Sequence, residues 1–495
     1  MPRGLLVWLG VSVTVLALTL GVLTYIAGVS PSPVWRLIVL NLFAYLPYTA
    51  TLIIAWNVRH ILRAAWPVIV ISLGLRLILV AAPPTYSDDV HRYVWDGKMV
   101  AAGINPYRHA PDALELELLR DEWWSKINHR SLRTIYPPLA EAVFGAVALV
   151  RPHPTAFKLL GALADTAVVC LLMLLAGGRL RRLDGHSETQ SKAVYVGLIY
   201  GLCPLPCIET SMSGHFEPLA SSLVLIVLIN LKKARGSRAS FFLGLAAGIK
   251  LIPALLLPIL GRRFRLAWLV FPLVFGSLYL PFISAGWEVF EMQDTFIRRW
   301  EGNAGLFALV KTGLRAAIEA VAGASDADTI VHIQILDPIA RGLEGTFFSL
   351  HKDGGFEPTT PGAFTVGDLS LAMSKAILGL VIVTVVVIVT IRKVEPVRAV
   401  AWTLGALLIC TPILHPWYLL WVLPLAALLR WWPWFVLAAT APLSYVALDP
   451  WWSRGVWETP WWVPWLEYGV FIIATIVFIA IRKKWVDQSR SRIQT

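Results

Sequence analysis

Long apolar segments follow one another along almost the whole chain, and short polar segments rich in Lys and Arg separate them. Each long segment has about 17–25 residues, the length of an α-helix that crosses the hydrocarbon core of a bilayer. In lipid only helices and closed barrels satisfy their own backbone hydrogen bonds. The pattern predicts an all-α polytopic membrane protein, one transmembrane domain over residues 1–495 with about 13–14 transmembrane helices or half-helices. The predicted spans are 4–28, 36–56, 64–82, 158–178, 193–210, 217–232, 266–284, 366–391, 397–413, 416–430, 432–448 and 465–482.

Two apolar segments do not fit a single span. Residues 137–150 are too few to cross a bilayer, and we predict a juxtamembrane helix at the outer surface. Residues 240–260 have basic segments on both sides, so a single span would place one of them outside, against the rule that Lys and Arg mark cytoplasmic loops. We therefore predict two half-helices that meet near Lys250 and Pro253.

The basic charge of the chain follows from this topology. The sequence has 43 Lys and Arg against 31 Asp and Glu, a formal net charge of +12, and most of the cations lie in short loops beside spans. Membrane topology accounts for this charge, so no nucleic-acid partner is needed. The same bias predicts cytoplasmic termini with a tail at 483–495, a first outer loop at 84–157 that carries juxtamembrane helices, and a second outer loop at 285–365.

Charged residues are unusually dense directly after the third predicted span, next to a membrane boundary. Ser87 is suited to cap a helix that runs to about Ala102, with Asp88 and Asp89 in its first turn. Its first nine residues carry three carboxylates, one His and one Arg, namely Asp88, Asp89, His91, Arg92 and Asp96. They suit either i,i+4 ion pairs on a solvated helix, Asp88 with Arg92 and Arg92 with Asp96, or a functional site.

The predicted topology brings more polar residues to the same side of the membrane. They are Arg130, Arg133, Tyr136, His215, Glu217, Lys250, Asn303, His415 and Tyr418. Each alone has a structural explanation, such as snorkelling by Lys250, capping by Glu217, or solvation of the loop arginines. An ionisable group at bilayer depth nevertheless costs at least ~2.5–3.5 kcal/mol, so Lys250 and Glu217 together favour a functional site.

This set of side chains suits chemistry on a lipid phosphate. Paired carboxylates can deprotonate a hydroxyl or hold a metal, while cations and imidazoles can neutralise a phosphate in a low dielectric. Because the sequence shows no soluble nucleotide-binding domain, an activated substrate has to arrive in the membrane. The combination indicates transfer of a group from a phospholipid-type carrier to an acceptor hydroxyl at the outer face.

The acidic stretch also resembles a known family. The run from Ser87 to Gly97, continued by Gly103-Ile104-Asn105-Pro106-Tyr107, resembles the Asp-Asp region of the GT-C integral-membrane glycosyltransferases, particularly the bacterial polyprenyl-phosphate-mannose-dependent mannosyltransferases. Shorter segments resemble the same family: Tyr136-Pro137-Pro138-Leu139, Gly244-Leu245-Ala246 with Lys250, and His415-Pro416-Trp417-Tyr418. The resemblance covers about residues 70–430, without a counterpart for the first two spans or for 304–365.

The resemblance implies an inverting transfer of a sugar, mannose by analogy, from a polyprenyl-phosphate carrier to a hydroxyl of a glycan or glycolipid. The enzyme would lie in the bacterial inner membrane with its active site on the outer face. Asp88 would be the general base and Asp89 would orient it or bind the acceptor, although the reverse assignment stays open. The other implied roles are carrier-phosphate binding by Lys250 and His415, with Arg130 or Arg133, and a sugar pocket at His215 and Glu217. Substrate contacts are also predicted for His91, Arg92, Asp96, Tyr136, Asn303 and Tyr418.

Several alternatives stay open. Arabinose, glucose or aminoarabinose are alternatives to mannose. With one acidic pair and no further carboxylate cluster, we expect no obligatory metal, although a divalent cation remains an alternative. We expect a monomer whose partners are the carrier lipid, the acceptor and membrane lipids.

The main rival function is a polytopic transporter or flippase of lipid-linked or polar substrates, because buried ionisable groups also mark transport paths. A polymerase or ligase acting on lipid-linked glycans is a second rival. The lack of repeated halves argues against a transporter. The two long outer loops, and polar groups gathered on one side, favour the enzyme.

Overall fold

The computed structural model describes residues 2–29, 34–177, 188–323, 330–332, 349–350, 356–357 and 363–494. Its α-helices are α1 (Pro2–Gly28), α2 (Val34–Val58), α3 (Trp66–Val80), α4 (Asp89–Ala101), α5 (Pro138–Val150), α6 (Pro154–Leu175), α7 (Glu188–Gly201), α8 (Pro204–Ser211), α9 (Glu217–Lys232), α10 (Gly236–Ile249), α11 (Leu257–Gly261), α12 (Ala267–Ser277), α13 (Glu291–Arg299), α14 (Gly305–Ala322), α15 (Val366–Ile391), α16 (Pro396–Cys410), α17 (Leu423–Leu429), α18 (Trp432–Thr440), α19 (Leu448–Arg454) and α20 (Trp462–Gln494). Short 3-10 helices cover Leu114–Leu119, Trp124–Lys126, Ile252–Leu256, Leu280–Phe290, Pro416–Trp421 and Ala441–Ala447.

This architecture confirms the predicted all-α polytopic membrane fold. Within the described residues, five helices (α1, α2, α6, α15 and α20) are each long and apolar enough to cross a membrane. Two bent helix pairs raise that number to seven if each pair is one span. The chain is therefore an integral membrane protein in which many of the predicted spans are built from shorter helices.

Short strands occur only in the part of the second predicted outer loop that the structure describes. Strand β1 (Ile330–His332) pairs antiparallel with β4 (Ala363–Thr365), and β2 (Ser349–Leu350) pairs antiparallel with β3 (Phe356–Glu357).

Two of the predicted spans are bent rather than continuous, and a proline lies at each bend. The span at 193–210 divides into α7 and α8, which are bent by 55° at Pro204. The span at 266–284 ends as α12, and the following segment turns by 94° near Pro281. A proline inside a helix removes a hydrogen-bond donor and clashes with the preceding turn.

A buried ion pair satisfies the backbone that the bend at α7 exposes. The Arg76 guanidinium on α3 lies 2.5 Å from Asp165 Oδ2 on α6 and donates to the Gly201 carbonyl at the end of α7. The Tyr200 hydroxyl donates to the other Asp165 oxygen at 2.5 Å. This network joins α3, α6 and α7. Because both of its charges are paired, it has no free group that could bind a ligand.

The prediction of two half-helices at 240–260 is confirmed. Helix α10 ends at Ile249, Lys250 has extended backbone angles (φ −146°, ψ 142°), and a 3-10 turn with Pro253 near its start leads into α11. Helix α5 begins at Pro138 and matches the predicted helix at 137–150. It packs along α4, and together these two helices form the wall behind the acidic stretch.

Candidate functional site

The two acidic residues lie at the N-terminus of α4. The predicted cap at Ser87 is displaced by one residue, because Asp88 occupies the N-cap position while the Ser87 hydroxyl accepts a hydrogen bond from the Asp89 N–H at 3.3 Å. The Asp88 side chain makes no cap bond and accepts instead from the Asn128 amide, at 2.6 Å. Both aspartates are half-buried, and the positive end of the helix dipole favours their negative charge.

Burial and mutual repulsion change how these acids titrate. Burial, followed by the charge of Asp89, raises the pKa of Asp88 to about 7, and the Asn128 amide acts in the opposite direction. Burial also raises the pKa of Asp89, where the positive charge of Lys250 opposes it and the Glu217 carboxylate adds to it. A carboxylate with a pKa near neutrality is suited to accept a proton from an alcohol.

The Lys250–Glu217 ion pair forms the opposite wall of the site. Lys250 Nζ lies 2.9 Å from Glu217 Oε1, and its charge stands over the rings of Phe216 (4.9 Å) and Tyr136 (5.6 Å). Glu217 is fully buried in the first turn of α9, whereas the Lys250 side chain keeps 22% of its surface exposed. The break after α10 places this ammonium group within reach of a ligand at the site.

Two histidines that are far apart in sequence stack on the same indole. The His215 and His415 rings lie 4.0 and 4.2 Å from the Trp417 ring centre, nearly parallel to it. Burial, and then the charge of Lys250, lowers the pKa of both imidazoles, that of His415 to about 3. Both rings are therefore neutral at pH 7, and Lys250 supplies the positive charge of this group. Tyr418 contacts the His415 ring edge-on at 5.3 Å and completes the predicted turn.

A backbone turn brings His215 beneath the acidic helix. Gly214 has a positive φ of 85°, which a residue with a side chain adopts only at a cost. A Cβ at this position would also lie 3.0 Å from Val90 and 3.2 Å from Lys158. Lys158 in turn donates to the carbonyls of Val80 and Ala82, where α3 ends. The close packing around Gly214 therefore joins the α3 end, the α4 start and the His215 turn into one unit.

Sequence reasoning missed Glu209, which belongs to the same polar cluster. Its Oε2 lies 3.5 Å from His215 Nε2, and its Oε1 accepts from the Tyr445 hydroxyl at 2.7 Å. Tyr445 stacks on Tyr86, which directly precedes the acidic stretch. The signal was present, since Glu209 is an ionisable residue inside a predicted span. Asn128, the partner of Asp88, gave no such signal.

A second group of acids lies behind α4 rather than in the site. The Arg92 Nε–H donates to both carboxylate oxygens of Asp96, at 2.8 and 2.9 Å, as predicted, but Arg92 makes no pair with Asp88. Glu141 on α5 accepts from Thr134 at 2.5 Å. Burial raises the pKa of both Asp96 and Glu141, and the negative charge of Asp96 raises the pKa of Glu141 further. Arg92 and Asp96 thus hold the wall of the site together.

Three other predicted residues lie away from the Asp88–Lys250 group. His91 stacks on Trp123 in the first loop, and burial lowers its pKa to about 4. Arg130 is exposed and stands over Trp124 at 4.7 Å. Arg133 pairs with Glu291 (2.8 Å) and Glu288 (3.3 Å), and so links the first outer loop to the second. Each of these three residues therefore makes a contact of its own.

Asn303 fastens the second loop to the histidine turn. Its amide donates to the Leu414 carbonyl at 3.2 Å and to Glu467 at 2.9 Å. The backbone of Gly302 pairs with Pro412 and Leu414 on either side of a short bridge, both at 3.1 Å. Asn303 therefore positions the segment just before His415.

Within the part of the chain that the structure describes, no group of three or more His, Cys, Asp or Glu side chains is arranged to hold a metal ion. The expectation that no metal is obligatory stays a prediction. The adjacent Asp88 and Asp89 are the side chains that would contact a divalent cation carried in with a lipid phosphate.

Two protein-family models match the chain, and each match contains part of the site. Residues 7–265, more than half of the chain, match the model of the alpha-(1->6)-mannopyranosyltransferase N-terminal domain, and this region contains the acidic helix, the His215 turn and Lys250. Residues 365–480 match the model of the MptB C-terminal domain, which contains His415. No curated protein matches the chain significantly. The chain therefore belongs to the alpha-(1->6)-mannopyranosyltransferase family, whose reaction is mannosyl transfer.

Proposed function

We propose that the protein is a GT-C-type enzyme that transfers mannose from a polyprenyl-phosphate carrier to a hydroxyl of a glycan or glycolipid, with inversion at the anomeric carbon. The reaction would take place on the outer face of the bacterial inner membrane. The observation that carries this proposal is the meeting of a half-buried Asp-Asp pair with the Lys250–Glu217 pair and two neutral histidines. These groups come from separate parts of the chain.

In the proposed reaction the acceptor oxygen attacks the anomeric carbon from the face opposite the phosphate. The new C–O bond forms as the bond between that carbon and the phosphate oxygen breaks. The acceptor proton passes to the Asp88 carboxylate, and the bonding electrons leave with polyprenyl phosphate. Asp89, which faces Lys250 and Glu217, would orient the acceptor.

Lys250 would stabilise the negative charge that develops on the leaving phosphate. A positive group placed before reaction in a site of low dielectric is effective because it needs no reorganisation. When the phosphate enters, the ammonium group would exchange part of its contact with Glu217 for the new anion. His415 and His215 are neutral, so they would donate hydrogen bonds to the phosphate and to sugar hydroxyls respectively.

The test is a transfer assay with the purified protein in liposomes, with radiolabelled polyprenyl-phosphate-mannose as donor and an α-mannoside as acceptor. We expect transfer from this donor, none from a sugar nucleotide, and no loss of activity with a chelator. Absence of transfer with the lipid donor would reject the proposal.

The same assay tests the general base. Replacing Asp88 by Asn removes the proton acceptor but keeps the size and the Asn128 contact, so we expect kcat to fall by roughly 10²–10⁴. Asp112→Asn, an exposed acid in the same loop, is the matched control. Full activity of D88N together with an inactive D89N would reverse the assignment.

A further inference from the structure

A large cavity lies at the end of the bundle away from the Asp88 site. Its volume is about 910 Å³, and it is bounded by α2, α18, α20 and the end of α17. The course of α17 and α20 shows that the cavity and the Asp88 site lie at opposite ends of the bundle. Helix α17 follows the Pro416–Trp421 turn beside His415 and ends at Arg430, a cavity residue. Helix α20 contacts Asn303 through Glu467 and reaches the cavity at Arg482.

The walls of the cavity are apolar and deep. Its floor includes Tyr45 and Tyr48, but the Tyr48 hydroxyl donates to the Ile199 carbonyl at 2.7 Å and that of Tyr45 lies 3.8 Å from Cys203 Sγ. The cavity follows α2 from Tyr45 to Asn57. At 1.5 Å per residue this is a depth of roughly 18 Å, a little more than half of the ~30 Å hydrocarbon core. One leaflet's acyl chain fits this depth.

The mouth of the cavity is cationic. Arg430 and Arg482 line it, and the Arg430 guanidinium stands 4.9 Å above the Trp56 ring. Arg59 also stands over Trp56, at 3.8 Å. Among the described residues none of these three arginines has a carboxylate within 4.0 Å, whereas Arg454 at the end of α19 is paired with Glu458. The mouth therefore has a positive charge that the described chain does not neutralise.

The cavity opens sideways as well as at its mouth. Thr49 and Ile53 lie one turn apart on α2 at its edge, and Ile53 is 59% exposed. Helices α2 and α20 both pack on α18, which forms the back of the cleft between them. A lipid could enter this cleft from the bilayer without unfolding any helix.

We propose that this cavity binds one anionic phospholipid from the leaflet opposite the Asp88 site. An acyl chain would lie along the aromatic side chains of α2, and the phosphate would contact Arg430 and Arg482. Basic pockets between transmembrane helices suit anionic headgroups in this way. A second copy of the chain is a poorer occupant, because it would bring two cationic mouths together.

The proposal can be tested by native mass spectrometry of delipidated protein titrated with phosphatidylglycerol or phosphatidylcholine. We expect the parent to retain one phosphatidylglycerol in preference to phosphatidylcholine. The double variant Arg430→Gln/Arg482→Gln should bind phosphatidylglycerol on the order of tenfold more weakly, with phosphatidylcholine binding unchanged. Ala439→Trp, which fills the cavity wall, should reduce retention of both lipids.

Arg454→Gln is the matched control, because it removes an exposed arginine outside the cavity and should keep the preference. Thermal unfolding without added lipid checks that each variant is folded. Equal retention of the two lipids by the parent would overturn the proposal. So would a preference that persists in the double variant, or a dimer in lipid-free samples that Ala439→Trp abolishes.

Discussion

At the scale of single residues, Asp88 connects the titration of the site with its proposed chemistry. The raised pKa of about 7 comes from burial and from Asp89, and the Asn128 amide limits the rise. The base must be deprotonated to act, so kcat/KM should increase with pH up to about 7 and level off above it. We therefore expect activity to be lost as the pH falls below about 7 and to be kept at higher pH.

Asn128 should set the position of this pH profile. In Asn128→Leu the amide no longer stabilises the charged carboxylate, so the rising limb should move to higher pH while the plateau is kept. The profile is measured in the liposome assay between pH 5 and 9, and Ser125→Ala in the same loop is the control. A limb that stays in place would show that Asp88 is not the titrating group.

We predict that the effects of replacing Lys250 and Glu217 on stability are coupled, because the two side chains form an ion pair. Lys250→Gln leaves a buried carboxylate without its partner, so we expect a loss of roughly 2 kcal/mol in stability, less than for a fully buried pair because Lys250 is partly exposed. Adding Glu217→Gln should restore the melting temperature but not transfer activity. Restored activity in the double variant would exclude Lys250 from phosphate binding.

At the scale of elements, close packing of α4 on α5 holds the acidic helix in place. A Cβ at Gly97 would lie 2.5 Å from the Phe144 carbonyl oxygen and 3.1 Å from Ala148 Cβ, and neither backbone can give way easily. We expect Gly97→Ala to cost about 1–3 kcal/mol of stability. Transfer activity should fall by more than the loss of stability accounts for, because a shift of α4 also displaces Asp88.

Gly74→Ala on α3 is the matched control for this change, since a Cβ there meets nothing within 4 Å. Its thermal unfolding and transfer rate should equal those of the parent. If Gly97→Ala were as stable and active as Gly74→Ala, the contact between α4 and α5 would not hold the site.

The helices themselves could be predicted from the sequence, and so could the break at Lys250, but the bend at Pro204 could not. Apolar length predicts helices because lipid offers no other partner for the backbone. A break inside a span is tolerated only where a neighbour satisfies the carbonyls at the helix end, as Arg76 does for Gly201 at the end of α7. That neighbour is visible only in three dimensions, so the bend at Pro204 was missed.

The same reasoning separates the site residues that could be found from those that could not. Lys250 and Glu217 were identified because an ionisable group in an apolar segment is costly. Glu209 has the same property and was overlooked. Asn128 lies in an ordinary polar loop, and its contact with Asp88 depends on how that loop folds back onto α4.

At the scale of the whole molecule, the proposed orientation can be tested by cysteine labelling. Asp112→Cys in the first loop should react with a membrane-impermeant maleimide added to intact cells, whereas Arg235→Cys between α9 and α10 should react only after lysis. The native cysteines are buried or half-buried and serve as an unlabelled background. Labelling of Arg235→Cys in intact cells would place the Asp88 site on the cytoplasmic face.

The bridge between Gly302 and Ile413 has a consequence for engineering. It joins the short segment between α13 and α14 to the turn before His415 at one backbone position, and Asn303 secures it. Insertions or tags placed in the loop directly after α14 leave this junction intact, so we expect them to leave His415 in position. Deleting Gly302, the residue between Glu301 and Asn303, would shift the register of the bridge and displace the His415 imidazole. A chimera that exchanges the second outer loop should therefore change from one sequence to the other after Asn303 and not before Gly302.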